Sequence, residues 1–483
     1  MQQKFISNLL LIIALNLLVK PLAIFGIDAA VQNRVGSEDY GMYFSLLNFT
    51  FLFNILLDLG INNYTTKNVA QYPEIAPKYL GKILIIRLML FILYAFFTTG
   101  LALVIGYDLK HFAILGFLIL NQFFITIIAF IRSHFAGMLL FKTDALISVL
   151  DRILLIIVCG ILLYGSITTI PFKIEWFVWI QTICYGVTFC VAIGLLIAKL
   201  GRPKVKFHKP FSIAILKQSL PYALLILLMM VYTRTDSVMI ERLHPNGKFE
   251  SGIYAQGFRL LDAFFMFGMI FTNLLFPLFS KMLKTKESIE PLLRLSSKLL
   301  IWGAIALAIF MYFNASTILS FIYSEDVHFS ALPFQLLMFT FIGMCITLIY
   351  GTLLTANGNL KFLNTISGIG IFVNVVINAS LIPQYGAVGA AIATLITQSL
   401  VGITQWMFVH QHFSIAFSAS WFLQLFAYCF TITLGLYFLH LNETHWLLQL
   451  VFVCAMLILF KVIHPRELKE ILLNKANAAI IEV

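Results

Sequence analysis

Residues 112–131 read FAILGFLILNQFFITIIAFI, twenty positions without a charged side chain. A helix rises about 1.5 Å per residue, so this stretch matches the roughly 30 Å hydrocarbon core of a bilayer. Stretches of the same kind recur on both sides of it. By the same length rule the chain reads as about fourteen spans. They lie near 5–26, 40–59, 80–105, 112–131, 144–165, 175–198, 219–240, 252–280, 294–313, 331–354, 361–382, 388–409, 420–439 and 445–463. The charged Ser324-Glu325-Asp326 divides the ninth from the tenth, and the uncharged turn at Gly386 divides the eleventh from the twelfth. Phe5–Val19 has the length of a signal-peptide core. It is followed by Lys20-Pro21 and Asp28 rather than a small-residue cleavage site, so it is expected to be retained as the first span.

The composition agrees. Of 483 residues, 61% are hydrophobic and 11% charged, against about 45–50% and 25% in soluble domains. Mean hydropathy is +0.96. There is too little polar surface to dissolve such a chain, which excludes a soluble enzyme. The net charge of +11 is scattered through short loops rather than gathered in a patch, so it reads as a topology signal and not as nucleic-acid binding. With the N-terminus placed in the cytoplasm, roughly 24 Lys and Arg fall in inner loops and roughly 6 in outer ones. Both termini are then cytoplasmic. Cys159, Cys184, Cys190, Cys345, Cys429 and Cys454 sit singly in apolar stretches, and His410 and His412 point to different helix faces, so no metal site is expected. No phosphate loop, nucleophile triad or other cofactor motif occurs, and an uphill step would have to draw on an ion gradient.

Asp39-Tyr40-Gly41-Met42-Tyr43 opens the second span, and Glu250-Ser251-Gly252-Ile253-Tyr254 opens the eighth. Six spans separate the copies, so both halves enter the membrane in the same direction, as in parallel-repeat transporters. The expected fold is all-α and polytopic, with two six-helix lobes in parallel pseudo-repeat and two C-terminal helices. The lobes would be 1–200 and 219–412, joined by a basic cytoplasmic linker at 201–218, with the extra helices and tail at 413–483. Phe211–Leu216 is expected to lie along the interface. In the tail, Leu468, Ile471 and Leu472 share one face of a short surface helix.

The stretch Pro383-Gln384-Tyr385-Gly386-Ala387-Val388-Gly389-Ala390-Ala391-Ile392-Ala393-Thr394 resembles the turn between spans eleven and twelve of bacterial polysaccharide flippases. Thr233-Arg234-Thr235-Asp236 with Gly252-Ile253-Tyr254 resembles their seventh span and its outer loop. Tyr40-Gly41-Met42-Tyr43 and Asp58-Leu59-Gly60 resemble their second. These flippases belong to the multidrug/oligosaccharidyl-lipid/polysaccharide exporter superfamily. The resemblance implies a transporter rather than an enzyme, seated in the bacterial cytoplasmic membrane. Its cargo would be an undecaprenyl-pyrophosphate-linked sugar repeat, as for O-antigen or capsule. A polysaccharide polymerase and a chain-length regulator would be its partners.

Charges buried in spans narrow the site, because each costs about 2.5–3.5 kcal/mol on insertion scales. Arg234 lies about 20 Å along its span from Pro221, and its planar fork suits a pyrophosphate. It is also close enough to the helix end to reach outer headgroups. Asp236, two residues on, points to another face and cannot pair with Arg234. It is a candidate for ion coupling. Lys20 shares a face with Asn16, beside the kink expected at Pro21. Both are candidates for substrate binding, and snorkelling to the interface would explain Lys20 as well. Arg259 and Asp262 are spaced i,i+3. They either neutralise each other, or Arg259 holds the anionic headgroup while Asp262 takes a coupling proton. Asp58 and Arg87 read as residues of the cytoplasmic interface. The rival readings are a multidrug cation antiporter, which would expose acidic residues in its cavity, and a peptidoglycan-precursor flippase. A membrane glycosyltransferase or polymerase would need an outer loop larger than Glu241–Ser251.

Overall fold

A computed structural model of the chain describes residues 18–19, 21–62, 65, 76–138, 140–165, 170–201, 209–416, 419–460 and 462. Lys20, Asn16, most of the first span and the expected tail helix lie outside these residues. Among them every regular element is a helix, as lipid requires, since only intrahelical bonds satisfy the backbone there without closing a barrel. Among the described residues nine helices are long and apolar enough to cross a membrane, and the chain is a multi-pass membrane protein.

A π-helical turn, Ala23–Asp28, runs into α1 (Ala29–Leu52), which turns sharply at Gly36. The short α2 (Ile55–Asp58) follows, then α3 (Ala76–Ile105), α4 (Leu109–Gly137), α5 (Phe141–Tyr164) and α6 (Ile174–Leu200). The C-terminal half starts with α7 (Lys209–Leu243) and α8 (Gly247–Thr285). Next, α9 (Glu290–Ser297) joins α10 (Gly303–Ile322) through a second π turn, ahead of α11 (Val327–Asn357) and α12 (Leu360–His412). Two further helices, α13 (Ala419–Leu441) and α14 (Trp446–Leu459), pack on α10. There Tyr428 donates to the Trp302 carbonyl at 3.0 Å, and Asn314 Nδ2 donates to Gln449 Oε1 at 2.8 Å.

One expectation is corrected and another is met. Helix α7 begins at Lys209, so Phe211–Leu216 is continuous with the seventh span and does not lie separately along the interface. Ile215 is buried there among Leu80, Ile83 and Ile86 of α3, and apolar packing explains why the helix continues. The spans expected at 361–382 and 388–409 are the two limbs of α12, which fold back on each other at Gly386, where φ is +49° and ψ −123°, so that Gly370 of the first limb packs on Thr397 and Val401 of the second. A side chain at this position would strain the backbone and would meet the Glu250 carboxylate, whose Oε2 lies 2.3 Å from an ideal Cβ. Glu250 accepts the freed Ala387 N–H at 2.8 Å and so caps the second limb of the helix.

The two copies of the repeated segment meet. Helices α1 and α8 cross through Gly41 and Gly252 so closely that a Cβ on Gly41 would lie 1.9 Å from the Lys248 carbonyl oxygen. One on Gly252 would lie 1.9 Å from that of Ser37. Ser251 Oγ donates to the Gly41 carbonyl at 3.1 Å, and Gln32 Nε2 to the Gly252 carbonyl at 3.0 Å. At this end of the molecule, the Gly36 end, one apolar core runs through both halves. At the opposite, basic end the N-terminal half has a separate core around Ile83, Phe130 and Ile147. The halves therefore share one core at the Gly36 end and meet at the basic end through the start of α7, where Ile215 enters the N-terminal core.

Candidate functional site between the halves

Three arginines face the space between the halves. Each is carried there by a helix long enough to reach the bilayer interior. Arg259 lies about 18 Å along α8 and Arg152 about 16 Å along α5. Arg234 lies about 14 Å from the end of α7. An apolar helix holds a guanidinium at such depth only when other groups solvate it, and these three are solvated differently.

Arg234 is fully engaged. Its Nη1 and Nη2 donate to Asp262 Oδ2 and Oδ1 at 3.0 and 3.2 Å, a bidentate pair. Nη1 also reaches Asn48 Oδ1 of the other half at 3.4 Å, and the guanidinium lies 5.4 and 5.2 Å from the rings of Phe51 and Phe258. The i,i+3 pairing of Asp262 with Arg259 is thereby corrected. Asp262 turns to the neighbouring helix, where a fork can meet both its oxygens.

Arg259 is under-satisfied. The nearest carboxylate, Asp28, stands at 3.7 Å, beyond a hydrogen bond, and its buried Nε has no partner. Arg152 lies within the span expected at 144–165, well inside α5. It touches Asp151 at 3.4 Å and lies over the ring of Tyr185. Together Arg152, Arg259 and Asp28 line a cavity of about 80 Å³, with Tyr43, Gln181 and Asn121 completing its polar wall. That volume holds several waters and no oligosaccharide, so larger cargo requires the halves to part. Arg152, Asp28 and the three amides Asn121, Gln122 and Gln181 were missed in the sequence. The available signal was polar side chains within apolar stretches, Asn121 and Gln122 in the very one that decides the fold.

Asp236 sits elsewhere, inside the C-terminal half. Its carboxylate accepts from Asn374 and Asn378 at 3.1 and 2.7 Å, from Tyr254 at 3.0 Å, and from Thr394. No cation pairs with it among the described residues. The buried Asn378 Oδ1 has no donor, so turning the two amides would present a carboxylate and further oxygens to one point. Such a seat suits a proton or a hard cation. Asp58 and Arg87, read as residues of the cytoplasmic interface, pair with each other inside the N-terminal half. The Arg87 side chain is 1% exposed, bound to Asp58 at 2.7 Å and to the Leu57 carbonyl at 3.0 Å, beside the Phe130 ring. The tight bend at 59–60 turns Asp58 inward.

The Gly36 end is sealed by polar contacts between the halves. Asn33 donates to the Ile322 carbonyl and accepts from the Ser324 N–H, both at 3.0 Å, and Ser37 donates to Asp326 at 2.6 Å. A second latch joins α4 to α7. His111 bridges Asp108 at 2.6 Å and Glu241 at 3.0 Å, while the Arg242 guanidinium stacks 3.6 Å from the centre of the Tyr107 ring. The bond from His111 holds the exposed Asp108 carboxyl down at about 2.

A model of the polysaccharide biosynthesis protein family matches residues 5–283. The chain belongs to this family. Its fold is that of the transporter superfamily named above for its exporters. The lipid II flippase MurJ, in an inward closed conformation, is similar over 95% of this chain and 99% of its own, with TM-score 0.70 at 17% identity. An inward-facing multidrug resistance MATE transporter is similar over 81% and 94%, with TM-score 0.65 at 13% identity. A transporter of the superfamily from Pyrococcus furiosus, described for the reverse polarity of its binding pocket, is similar over 84% and 94%, with TM-score 0.57 at 14% identity. At these identities the likeness is one of fold. No curated protein matches the chain by sequence. For this member of the polysaccharide biosynthesis family, the chemistry rests on its own cavity.

Proposed function

We propose that the chain is a flippase carrying undecaprenyl-pyrophosphate-linked oligosaccharide repeat units across the bacterial cytoplasmic membrane for surface polysaccharide synthesis. Residues 1–200 and 219–412 act as two lobes that rock about the cavity, joined by the basic linker 201–218, with 413–483 as an accessory. The basic end and both termini face the cytoplasm, so the Gly36 end is outermost and closed. Delivery would be to a polysaccharide polymerase with its chain-length regulator. The chain itself performs transport and no covalent step.

The observation that carries this reading is Arg259. Its buried guanidinium has an unused Nε, and its ion pair with Asp28, at 3.7 Å, is too long for a hydrogen bond, so a closer anion can take its place. With Arg152 on the opposite wall, two forks converge from two lobes on one cavity. A diphosphate with its several oxygens would bond to both and displace Asp28, stabilising the state in which the lobes approach. An organic cation would meet two guanidinium groups there, which argues against the multidrug antiporter. Asp236 serves as the seat of the coupling ion, remote from the cargo. Lys20 and Asn16 remain candidates at the mouth of the first span.

The test replaces Arg259 with Gln in cells that depend on this chain for surface glycan. Export should fall by about tenfold or more, while membrane insertion stays normal. Normal export by Arg259→Gln and by Arg152→Gln would overturn the proposal. Extrusion of organic cations by the native chain would favour the antiporter.

A further inference from the structure

The wall that the N-terminal half gives to the cavity carries three side-chain amides, and they differ in occupancy. Gln122 accepts from Asn54 at 3.0 Å and donates to Thr50 at 3.3 Å. Gln181 is bound to the Tyr43 hydroxyl at 2.9 Å. Asn121 is 3% exposed and lines the same cavity, yet neither its Oδ1 nor its Nδ2 has a partner. Leu118 and Ile125, at i−3 and i+4, line the cavity too, which fixes this face of α4 toward it. An amide so deep in a transmembrane helix is costly to leave unmet at both ends.

What binds there must use a donor and an acceptor side by side. A phosphate oxygen would satisfy Nδ2 and leave Oδ1 unmet. A metal cation would take Oδ1, leave Nδ2 unmet and sit beside two arginines. A hydroxyl gives and accepts at once, and neighbouring hydroxyls on a sugar ring serve both ends of one amide. We infer that Asn121 reads the carbohydrate: it binds hydroxyls of the sugar joined directly to the diphosphate, while Arg152 and Arg259 hold the diphosphate itself. This rests on the flippase reading above and adds the residue that distinguishes a glycosylated carrier from a bare one. Gln122 and Gln181, tied to protein, are positioning neighbours.

The experiment uses the full chain in nanodiscs. It titrates undecaprenyl diphosphate against three glycosylated forms, carrying N-acetylglucosamine, galactose or glucose. The native chain should prefer at least one glycosylated form over the bare lipid by about three- to tenfold. In Asn121→Leu, which keeps the branched heavy-atom outline but no polar atom, that ratio should fall to about one, and likewise in the smaller Asn121→Ala. A purely structural Asn121 would weaken both lipids together and leave the ratio intact, which would overturn the inference. So would a native chain that binds the bare lipid as well as every glycosylated one, an outcome that leaves the flippase reading standing. If the native chain binds none of the four lipids, the flippase reading falls, and the inference with it.

Discussion

Helices α1 and α8 build two unlike regions within a few turns of each other. At Gly41 and Gly252 they touch backbone to backbone, and the surrounding polar groups bond across the seam to protein. Farther along the same helices, at Tyr43 and Arg259, they diverge around a cavity whose Arg259 and Asn121 keep unmet bonding capacity. The seam is held by direct contacts between protein groups, with only Gln32 Oε1 and the Tyr40 hydroxyl left over, whereas at the cavity a guanidinium Nε and both ends of a side-chain amide stay unbonded. A gate and a binding site differ in this way: the first must hold by protein contacts alone, and the second must reserve its contacts for cargo.

The strongest way to break the contrast is to wedge the seam. Gly252→Ala puts a methyl group where the Ser37 carbonyl stands, and overpacking of this kind costs about 1–3 kcal/mol. Spin labels at positions 38 and 325 should show the closed distance lose most of its population, with export falling about tenfold or more. An unchanged distance would mean that the glycine contact does not hold the gate. Next comes the engaged arginine. Arg234→Met leaves the Asp262 charge unpaired and should destabilise the protein by about 3 kcal/mol in thermal melts. Adding Asp262→Leu should recover most of that loss. Failure to recover would show that Arg234 has a role beyond pairing with Asp262.

Smaller effects sharpen the picture of the second latch. His111→Ala strips a bond from Glu241, which is 2% exposed, and should weaken closure by about 1–2 kcal/mol. The same spin-label distance should broaden without export being lost. The weakest effect is acid loosening through Asp108. His111 lowers its carboxyl to about 2, below the unfolded value near 3.9. Its contribution is therefore complete above about pH 4 and fades as pH falls toward 2. The labelled seam should stay constant from neutral pH down to about pH 4 and loosen below it. Asp108→Asn should remove that acid step.

Much of this was legible in advance. Spans such as 112–131 declare themselves because lipid imposes one local demand on every helix, and hydropathy records it residue by residue. The bend at Gly386 was legible as a turn, since φ near +49° calls for glycine. The repeated pentads were visible too, although not that they would touch. Spacing along one helix misassigned Asp262, whose partner comes from α7. Arg152 and Asn121 passed unnoticed inside apolar runs. In each case the deciding neighbour lies on another helix, more than a hundred residues away for the seam and for the cavity wall.

The amino-acid order by itself settled that this chain lives in lipid, that it is helical, and roughly where its helices begin and turn, because those properties follow from solvent and backbone one segment at a time. Which cations are spoken for and which stand open was decided only when the helices packed. Hydrogen bonding reaches about 3 Å, and no periodicity within a single helix says what another helix will bring to that distance.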